Sequence, residues 1–233
     1  MKFIHFIPDI TRGTHLDGVP NPDVAKRFIP SWYKKSEMVF EEGLGQEVPG
    51  LKTCIPFLDG LISGYMLVTP CNIYVKKHED GSVDIDWDNV SDLIDPIHER
   101  TGMSGHLMPR PAGHLNNHLI WTPTWGWKAP RGYSVLVTHP LNRFDLPFTT
   151  MSAIVDSDKF YGSGNIPFFL KADFEGTIEK GTPVAQLIPI KRKSWKAVYD
   201  PAIISLMQES GAKVRRYPRG GYRDHIHIKK EYN

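Results

Sequence analysis

The sequence has few cysteines, no long uninterrupted apolar run and almost no net charge, and each shortage excludes a class of protein. Its two cysteines, Cys54 and Cys71, make no disulfide framework and no Cys-x-x-Cys pair. We expect both to be reduced, buried thiols. The longest mostly apolar stretch, residues 55–75, is interrupted by aspartate, proline and glycine, so it does not predict a membrane span. We therefore expect no membrane partner.

The charge balance and the missing motifs count against further classes of function. The net charge is +2, with 28 basic and 26 acidic residues, so no overall field favours a nucleic-acid partner. No G-x-S-x-G, Walker or dinucleotide-binding motif occurs. His114 and His118 are four residues apart, and His225 and His227 alternate, but neither pair has a third ligand at metal-site spacing. We expect no metal and no cofactor.

Proline and glycine are plentiful, and their distribution predicts an all-β fold. The 233 residues include 19 prolines and 20 glycines, which favours short strands joined by frequent turns. Alternating apolar segments predict roughly nine strands, as in a sandwich or barrel. An Asp80-Gly81 turn before the alternating Val83, Ile85 and Trp87 predicts a hairpin. Other predicted strands are YMLVTP, NIYVKK, HLIWTP, GYSVLVTHP, FTTMSAIVD, NIPFFLKADF and TPVAQLIPIKR.

One helix is predicted near the end of the chain. Asp200 has the side chain of an N-cap, Pro201 suits the first helical position, and Gly211 is placed to end the helix. We therefore divide the chain into an N-terminal arm with loops (1–50), a core domain (51–198) with an irregular insertion (96–118), and a C-terminal helix with a basic arm (199–233).

Two groups of residues are candidates for contacts with other subunits. Aromatic residues around Pro123 and Pro130 fit either a sheet corner or a subunit interface; they are Trp121, Trp125, Trp127 and Tyr133. The basic tail fits an arm on a neighbouring subunit, a phosphate contact or a solvated end. The tail residues assigned to an interface are Arg215, Arg216, Tyr217, Arg219, Tyr222 and Arg223.

Two segments resemble the trimeric dUTPase and dCTP-deaminase superfamily. They are TTMSAIVDSDKF and EGTIEKGTPVAQLIPIKR, within residues 149–192. GYSVLVTHP and SGYMLVTP match two further strands of that superfamily, in the same order along the chain. The resemblance implies a β-clip, which is a jelly-roll-like all-β fold that commonly trimerises.

The same resemblance implies a hydrolytic site. Asp156 matches the carboxylate that orients water onto the α-phosphate, Gln186 matches a phosphate donor, and Arg143 would stabilise developing charge. Mg²⁺ would accompany the triphosphate, and Phe160 or Tyr161 would pack against the base. The sequence departs from the superfamily at Met66, which replaces an aspartate, and at HPLNR, which replaces its phosphate-binding run. Asp156 could instead cap a turn with Asp158.

Most of the chain also resembles an uncharacterised family found mainly in tailed bacteriophages. The shared strings are KTCIPFLDGLISGY, GYSVL with HPLNR, IVDSD with PFFLK, and GTPVAQ followed by a Lys-Arg and a tryptophan. The implied function is a non-enzymatic, virion-associated structural protein, such as a capsid decoration, vertex or tail-associated subunit. It would be made in the host cytoplasm and would assemble as a homo-oligomer, with a trimer favoured, alongside other phage structural proteins. The alternative is a divergent dUTPase-like nucleotide triphosphate hydrolase, or a nucleotide-binding protein without turnover.

Overall fold

The computed structural model describes residues 2–15, 17–43, 45–90, 92–99, 109–217 and 220–233. Strands make up 32% of the chain and helices 20%, so the fold is β-rich. Backbone contacts group the chain into a strand unit, residues 1–25 and 64–192, and a helical unit, residues 26–63 and 193–233. Residues 26–63 are thus grouped with the C-terminal segment, whereas the sequence divided them between an arm and the core. Part of the expected 96–118 insertion, residues 100–108, lies outside the described residues.

Sixteen strands are described, more than the nine expected, because FTTMSAIVD forms two strands and six short strands lie in segments where the sequence predicted none. They are β1 (His5–Pro8), β2 (Asp23–Val24), β3 (Val39–Glu42), β4 (Gln46–Pro49), β5 (Tyr65–Val68), β6 (Ile73–Lys77), β7 (Val83–Trp87), β8 (Ile97–Glu99), β9 (Leu119–Trp121), β10 (Trp125–Lys128), β11 (Tyr133–Thr138), β12 (Phe148–Thr150), β13 (Ala153–Val155), β14 (Ile166–Leu170), β15 (Gly176–Ile178) and β16 (Pro183–Lys191).

The described residues of the strand unit form four antiparallel sheets. The largest has the order β13-β11-β16-β5-β2, and a second has the order β12-β14-β9-β8. A three-stranded sheet has the order β15-β6-β7, and β1 pairs with β10. The predicted hairpin is confirmed, since Ile73 to Lys77 pair with Trp87 to Val83 across the Asp80-Gly81 turn. In the helical unit, β3 pairs with β4.

The segment FTTMSAIVD is not one strand, as the sequence predicted. Its first part is β12 in the four-stranded sheet, and its last part is β13 in the five-stranded sheet. Between them the Met151 amide donates to the Pro167 carbonyl at 2.8 Å, while Ser152 Oγ lies 2.7 Å from Thr138 Oγ1. The chain therefore crosses from one sheet to the other here, and a continuous apolar pattern does not reveal such a crossing.

An aromatic cluster occupies the core of the strand unit. Trp121 stacks on Phe168 with ring centroids 3.8 Å apart, and Phe148 packs edge-on against both. Trp121 Nε1 donates to Thr150 Oγ1 at 3.2 Å, and that hydroxyl donates to the Val184 carbonyl at 2.6 Å. Burying an aromatic side chain of this size contributes about 2–3 kcal/mol. The cluster therefore joins β9, β12, β14 and β16 into one core.

Two of the predicted interface aromatics belong to this core. Trp121 is 2% exposed and Trp127 is 3% exposed, and the Trp127 indole donates to Ser157 Oγ at 3.0 Å. The interface prediction is wrong for both, because the chain's own sheets already cover them. Trp125 and Tyr133 are half-buried, so for them the interface stays a prediction.

The helices are α1 (Ser31–Lys35), α2 (Ile55–Ile62), α3 (Ile204–Arg216) and α4 (Gly221–His225), all in the helical unit. Short 3-10 helices cover Ile10–Arg12, Ala25–Phe28, Leu51–Thr53 and Pro201–Ile203. None of the helices in the described ranges is long and apolar enough to cross a bilayer.

The predicted C-terminal helix is present, but its predicted end is wrong. Asp200 Oδ1 accepts from the Ala202 amide at 3.0 Å, so the expected cap holds the 3-10 turn that leads into α3. The helix then runs through Gly211 to Arg216. Lys213, Arg215 and Arg216 lie in its last turn, where cationic side chains favour the helix because they face its negative dipole end.

The C-terminal tail is held by its own chain. His227 Nε2 lies 3.2 Å from Asp59 Oδ2, and Lys230 Nζ donates to the same oxygen. Asp59 belongs to α2, so these contacts lie within the helical unit. The basic arm is therefore anchored at its end, while the residues assigned to a partner interface stay a prediction. Arg219 among them lies outside the described residues.

Only one of the two cysteines is buried. Cys71 is 1% exposed, and burial raises the pKa of its thiol to about 11. Cys54 is exposed, so the prediction of two buried thiols is wrong for it. It lies between the Leu51–Thr53 turn and α2, at a helix start rather than in a strand. Neither cysteine forms a disulfide.

Candidate functional site

Three neighbouring strands bring the candidate carboxylate Asp156 to one edge of the five-stranded sheet. Ser134 lies at the start of β11, Asp156 directly follows β13, and Arg192 directly follows β16. Val135 pairs with Val155, and Tyr133 pairs with Lys191, so these positions are adjacent in the sheet. The antiparallel pairing therefore places a hydroxyl, a carboxylate and a guanidinium side by side.

Arg192 binds the carboxylates of both Asp156 and Asp158. Its Nη1 donates to Asp156 Oδ1 at 3.1 Å, and its Nη2 donates to Asp158 Oδ2. Ser134 Oγ donates to Asp156 Oδ1 at 2.7 Å, and the Gly132 amide donates to Asp158 Oδ2 at 2.8 Å. The Asp156 carbonyl accepts from the amides of residues 159 and 160, which closes a turn. A turn is thus present at Asp156, as the structural alternative expected, but the backbone carbonyl closes it and the two carboxylates bind Arg192 instead of capping it.

These contacts keep both carboxylates ionised. The hydrogen bond from Ser134, together with the nearby Arg192, lowers the pKa of Asp156. The hydrogen bond from Arg192, followed by that from the Gly132 amide, lowers the pKa of Asp158 to about 2. The Asp158 side chain is 5% exposed, and its Oδ1 has no hydrogen-bond partner among the described residues. A carboxylate whose pKa is lowered is a weaker general base, so these contacts oppose proton transfer from water to either group.

The other two candidate catalytic residues lie at a different place, the turn after β11. Gln186 is fully buried in β16, and its Oε1 accepts from the Leu141 amide at 2.7 Å. Arg143 is 9% exposed and donates from Nε and Nη2 to the Asp145 carboxylate at 2.9 Å each. Asn142 has a φ of 61°, which closes this tight turn. Both side chains therefore hold the turn in shape.

The fold does not bring Asp156 and Gln186 together within one chain. Asp156 contacts Ser134, whereas Gln186 pairs with Thr138 on the same strand. Four residues of a strand span about 13 Å, so the two side chains lie at opposite ends of β11. Within one chain, the two side chains therefore could not act on the same phosphate group.

A groove of about 580 Å³ begins beside Asp158, on the side of β1 and β10. Most of its lining side chains are cationic or aromatic. We call it the basic groove; it is lined by Lys2, Phe3, His5, Lys128, Ala129, Pro130, Arg131, Asp158, Lys159 and Tyr161. The pairing of His5 with Lys128 brings the N-terminal strand to this place.

Two lysines of the basic groove lie over aromatic rings. Lys2 Nζ lies 4.4 Å from the centre of the Tyr133 ring and also donates to the Tyr133 hydroxyl. Lys128 Nζ lies 5.0 Å from the centre of the Tyr161 ring. Cation–π contacts of this kind hold an ammonium group while leaving N–H donors free.

The sequence did not reveal the basic groove. Lys2 and Tyr133 are 131 positions apart; Lys2 belongs to no matched string, and Tyr133 was considered only as part of a matched strand and as an interface aromatic. Tyr161 was considered only as a base-packing residue of the hydrolase alternative, and Arg192 only as part of a matched string. Clusters of exposed cations beside loop aromatics were the available signal, but their convergence depends on the β1–β10 pairing.

The histidine pairs do not form a metal site in the described part of the chain. His114 Nε2 lies 2.9 Å from Thr149 Oγ1, and its Nδ1 lies 3.0 Å from the Ala112 carbonyl, so both ring nitrogens have structural partners. His225 ends α4 instead of lying on a strand with His227. Within the described residues, no group of three or more His, Cys, Asp or Glu side chains could hold a metal ion.

In the comparisons with known proteins, the sequence matches no family model and no curated relative.

Proposed function

We propose that this chain is a non-enzymatic, virion-associated structural protein of a tailed bacteriophage, built on a β-clip fold. The observation that carries the proposal is that every candidate catalytic side chain is already hydrogen-bonded to other residues of the same chain. Asp156 is bound by Ser134 and Arg192, and Gln186 holds the Leu141 amide. A carboxylate and an amide that are bound in this way favour a structural role for these residues over a hydrolytic one.

An exposed apolar segment supports assembly with other subunits. It covers residues 193–207 of the helical unit, where Trp195 is 87% exposed and Tyr199 is 98% exposed. The other exposed apolar side chains of this segment are Val198, Ile203, Ile204, Leu206 and Met207. Clusters of exposed apolar side chains are typical of protein interfaces, since isolated monomers rarely leave them in water. We assign this segment to contacts between copies of this chain in a homo-oligomer, with a trimer favoured.

The hydrolase alternative has less support. It requires Asp156 and Gln186 to act on one substrate, yet they lie about 13 Å apart along β11. It could operate only if a second subunit completed the site. The alternative therefore predicts that an oligomer of this chain hydrolyses a nucleoside triphosphate accompanied by Mg²⁺. The substitution Asp156→Asn should abolish that hydrolysis.

The direct test is a copy count of this chain in purified, nuclease-treated phage particles by quantitative mass spectrometry. A structural subunit is present in many copies per particle, in a fixed ratio to the major capsid protein. A soluble phage enzyme would be abundant in the infected-cell lysate and absent from the particles, and that result would overturn the proposal. A known non-virion phage enzyme from the same lysate serves as the contamination control.

The assembly step has its own test. The oligomeric state of the purified chain is measured by light scattering after size exclusion, alongside the double variant Trp195→Ser with Leu206→Ser. We expect the variant to dissociate while keeping its circular dichroism spectrum. Phe40→Ser with Met38→Ser, which removes two exposed apolar side chains elsewhere in the same unit, is the matched control.

A further inference from the structure

We propose that the basic groove binds a nucleotide unit, meaning a phosphate group together with a planar base. The inference does not depend on the virion role, because it concerns the strand unit alone. It shares Tyr161 with the hydrolase alternative but uses none of that alternative's catalytic candidates, Asp156, Gln186 and Arg143.

The charges of the groove favour an anion. Lys2, Lys128, Arg131 and Lys159 line it, and none of these side chains has a carboxylate partner within the described ranges. The groove's one acidic residue, Asp158, is already bound by Arg192. Because Arg192, which is not a lining residue, already binds this carboxylate, no lining carboxylate among the described residues is left to balance the four exposed cations. Phosphate oxygens satisfy such a cluster best, since each ammonium retains free N–H donors.

The rings of the groove favour a ligand with a flat, apolar part. Phe3 is 61% exposed and Tyr161 is 43% exposed, so both present ring surface to the groove. Stacking of a base on an exposed aromatic side chain is worth a measurable share of binding energy and tolerates any base. A simple anion such as sulfate would use the lysines and leave both rings in water, so the rings select for a nucleotide.

The walls of the groove are held in place before any ligand binds. The Tyr161 hydroxyl donates to the Asp158 carbonyl at 3.0 Å. Gly126 of β10 lies so close to the 161–163 backbone that an added Cβ would be 2.4 Å from the Tyr161 carbonyl oxygen. The volume of about 580 Å³ lies within the range of small-molecule sites. These contacts position the Tyr161 wall before a ligand binds, which lowers the entropy cost of binding there.

The test measures binding of four probes to the whole chain by isothermal titration calorimetry. The probes are dTTP, inorganic tripolyphosphate, thymidine and a single-stranded oligonucleotide of thymidines. We expect dTTP to bind at least about tenfold more tightly than tripolyphosphate or thymidine, because only dTTP uses both cations and rings. Tripolyphosphate binding as tightly as dTTP would overturn the nucleotide assignment, and no binding of dTTP or the oligonucleotide would overturn the site.

The oligonucleotide identifies the source of the nucleotide. Tighter binding of the strand than of dTTP, with a steep loss as salt rises, means that the groove holds one nucleotide of a longer strand. Tighter binding of dTTP means that it holds a free nucleotide. Either result upholds the proposal, because the base and phosphate chemistry is shared.

Matched variants locate the binding. Lys128→Gln with Lys159→Gln should weaken dTTP about tenfold or more, since each loses a charge-assisted contact. Lys76→Gln with Lys77→Gln removes the same charge from exposed positions on β6 and should leave binding unchanged.

Tyr161→Leu should weaken the binding of dTTP but not that of tripolyphosphate. Tyr74→Leu is its control, because Tyr74 is also 43% exposed and also donates one hydrogen bond, to Asp88. Equal losses in test and control variants would overturn the assignment. Melting temperatures of all variants verify that they are folded.

Discussion

Arg192 Nη1 lies 3.1 Å from Asp156 Oδ1, so the carboxylate that a hydrolase would use to orient water is bound by a guanidinium of its own chain. The same arginine also binds Asp158, which is far more buried. Arg192 therefore holds the turn after β13 against the end of β16. Arg192 thus fixes this turn at the sheet edge, and substitutions of its two carboxylate partners test how much each contact stabilises the fold.

Asp158→Asn should lower the urea midpoint of unfolding more than Asp156→Asn does. The Asp158 side chain is 5% exposed, whereas that of Asp156 is 63% exposed, so solvent screens the Asp156 pair more strongly. The folded pKa of Asp158 is about 2, below its unfolded value. Its stabilising effect is therefore complete above about pH 4 and is lost as the pH falls toward the folded pKa. The difference between wild type and Asp158→Asn should shrink over that window. A difference that is constant from pH 7 to 3 would contradict this assignment.

Gly64→Ala should strongly destabilise the strand unit. Gly64 has a φ of +74°, and an added Cβ would lie 2.1 Å from the Leu187 carbonyl oxygen of β16. The left-handed conformation alone costs about 1–2 kcal/mol, and the clash adds to it. Gly81→Ala separates the two effects, because Gly81 has a φ of +82° and open space around it. Thermal unfolding of both variants measures the difference, and equal losses would show that Leu187 moves away without cost.

Gln186→Met should destabilise the fold by about 1–3 kcal/mol, since it leaves the Leu141 amide without the acceptor that Gln186 provides. Methionine has a similar volume, so the change removes polar contacts more than packing. Amide hydrogen exchange at Leu141 should become faster. Gln208→Met, at an exposed position of α3, is the control. Unchanged stability and unchanged Leu141 exchange would refute a structural role for Gln186.

His139 should make the protein less stable in mild acid. Burial lowers the pKa of His139 below its usual value. Its Nδ1 accepts from the Thr150 amide at 3.2 Å, and its Nε2 donates to the Arg143 carbonyl at 3.0 Å, which fixes the neutral tautomer. The unfolded chain takes up the proton first, so stability is complete above about pH 6.5 and falls as the pH drops below that value.

Urea unfolding near pH 7.5 and pH 5.5, together with an NMR titration of the His139 ring, checks this prediction. The variant His139→Gln should lose less stability between the two pH values than the wild type. The exposed His5→Gln is the control and should behave like the wild type. A His139 ring that titrates at or above the ordinary histidine value would contradict the tautomer assignment.

Local features of the sequence were reliable guides where neighbours along the chain decide the structure. The Asp80-Gly81 turn and the alternation of Val83, Ile85 and Trp87 predicted the β6–β7 hairpin correctly. Asp200 caps the turn before α3 as expected. The predicted end of the last helix was wrong. A glycine can either end a helix or lie within one, and Gly211 lies within α3, which continues to Arg216.

Features that depend on distant contacts were less predictable. Trp121 and Trp127 looked equally suited to a core or an interface, because composition alone does not show what covers a side chain. The crossing of residues 148–155 between two sheets was invisible, since its apolar pattern is continuous. The sequence also did not show whether the Asp156 carboxylate has a cationic partner, because Arg192 is 36 positions away along the chain.

The sequence by itself determined that the chain is β-rich, where its hairpin turns, and where its last helix begins, because turn chemistry, side-chain alternation and capping act over a few residues. Only the tertiary structure decided that Asp156 and Gln186 lie at opposite ends of β11 and that Lys2 lies over Tyr133. Those relationships join residues far apart in the chain, and strand pairing, which the sequence does not specify locally, brings them together.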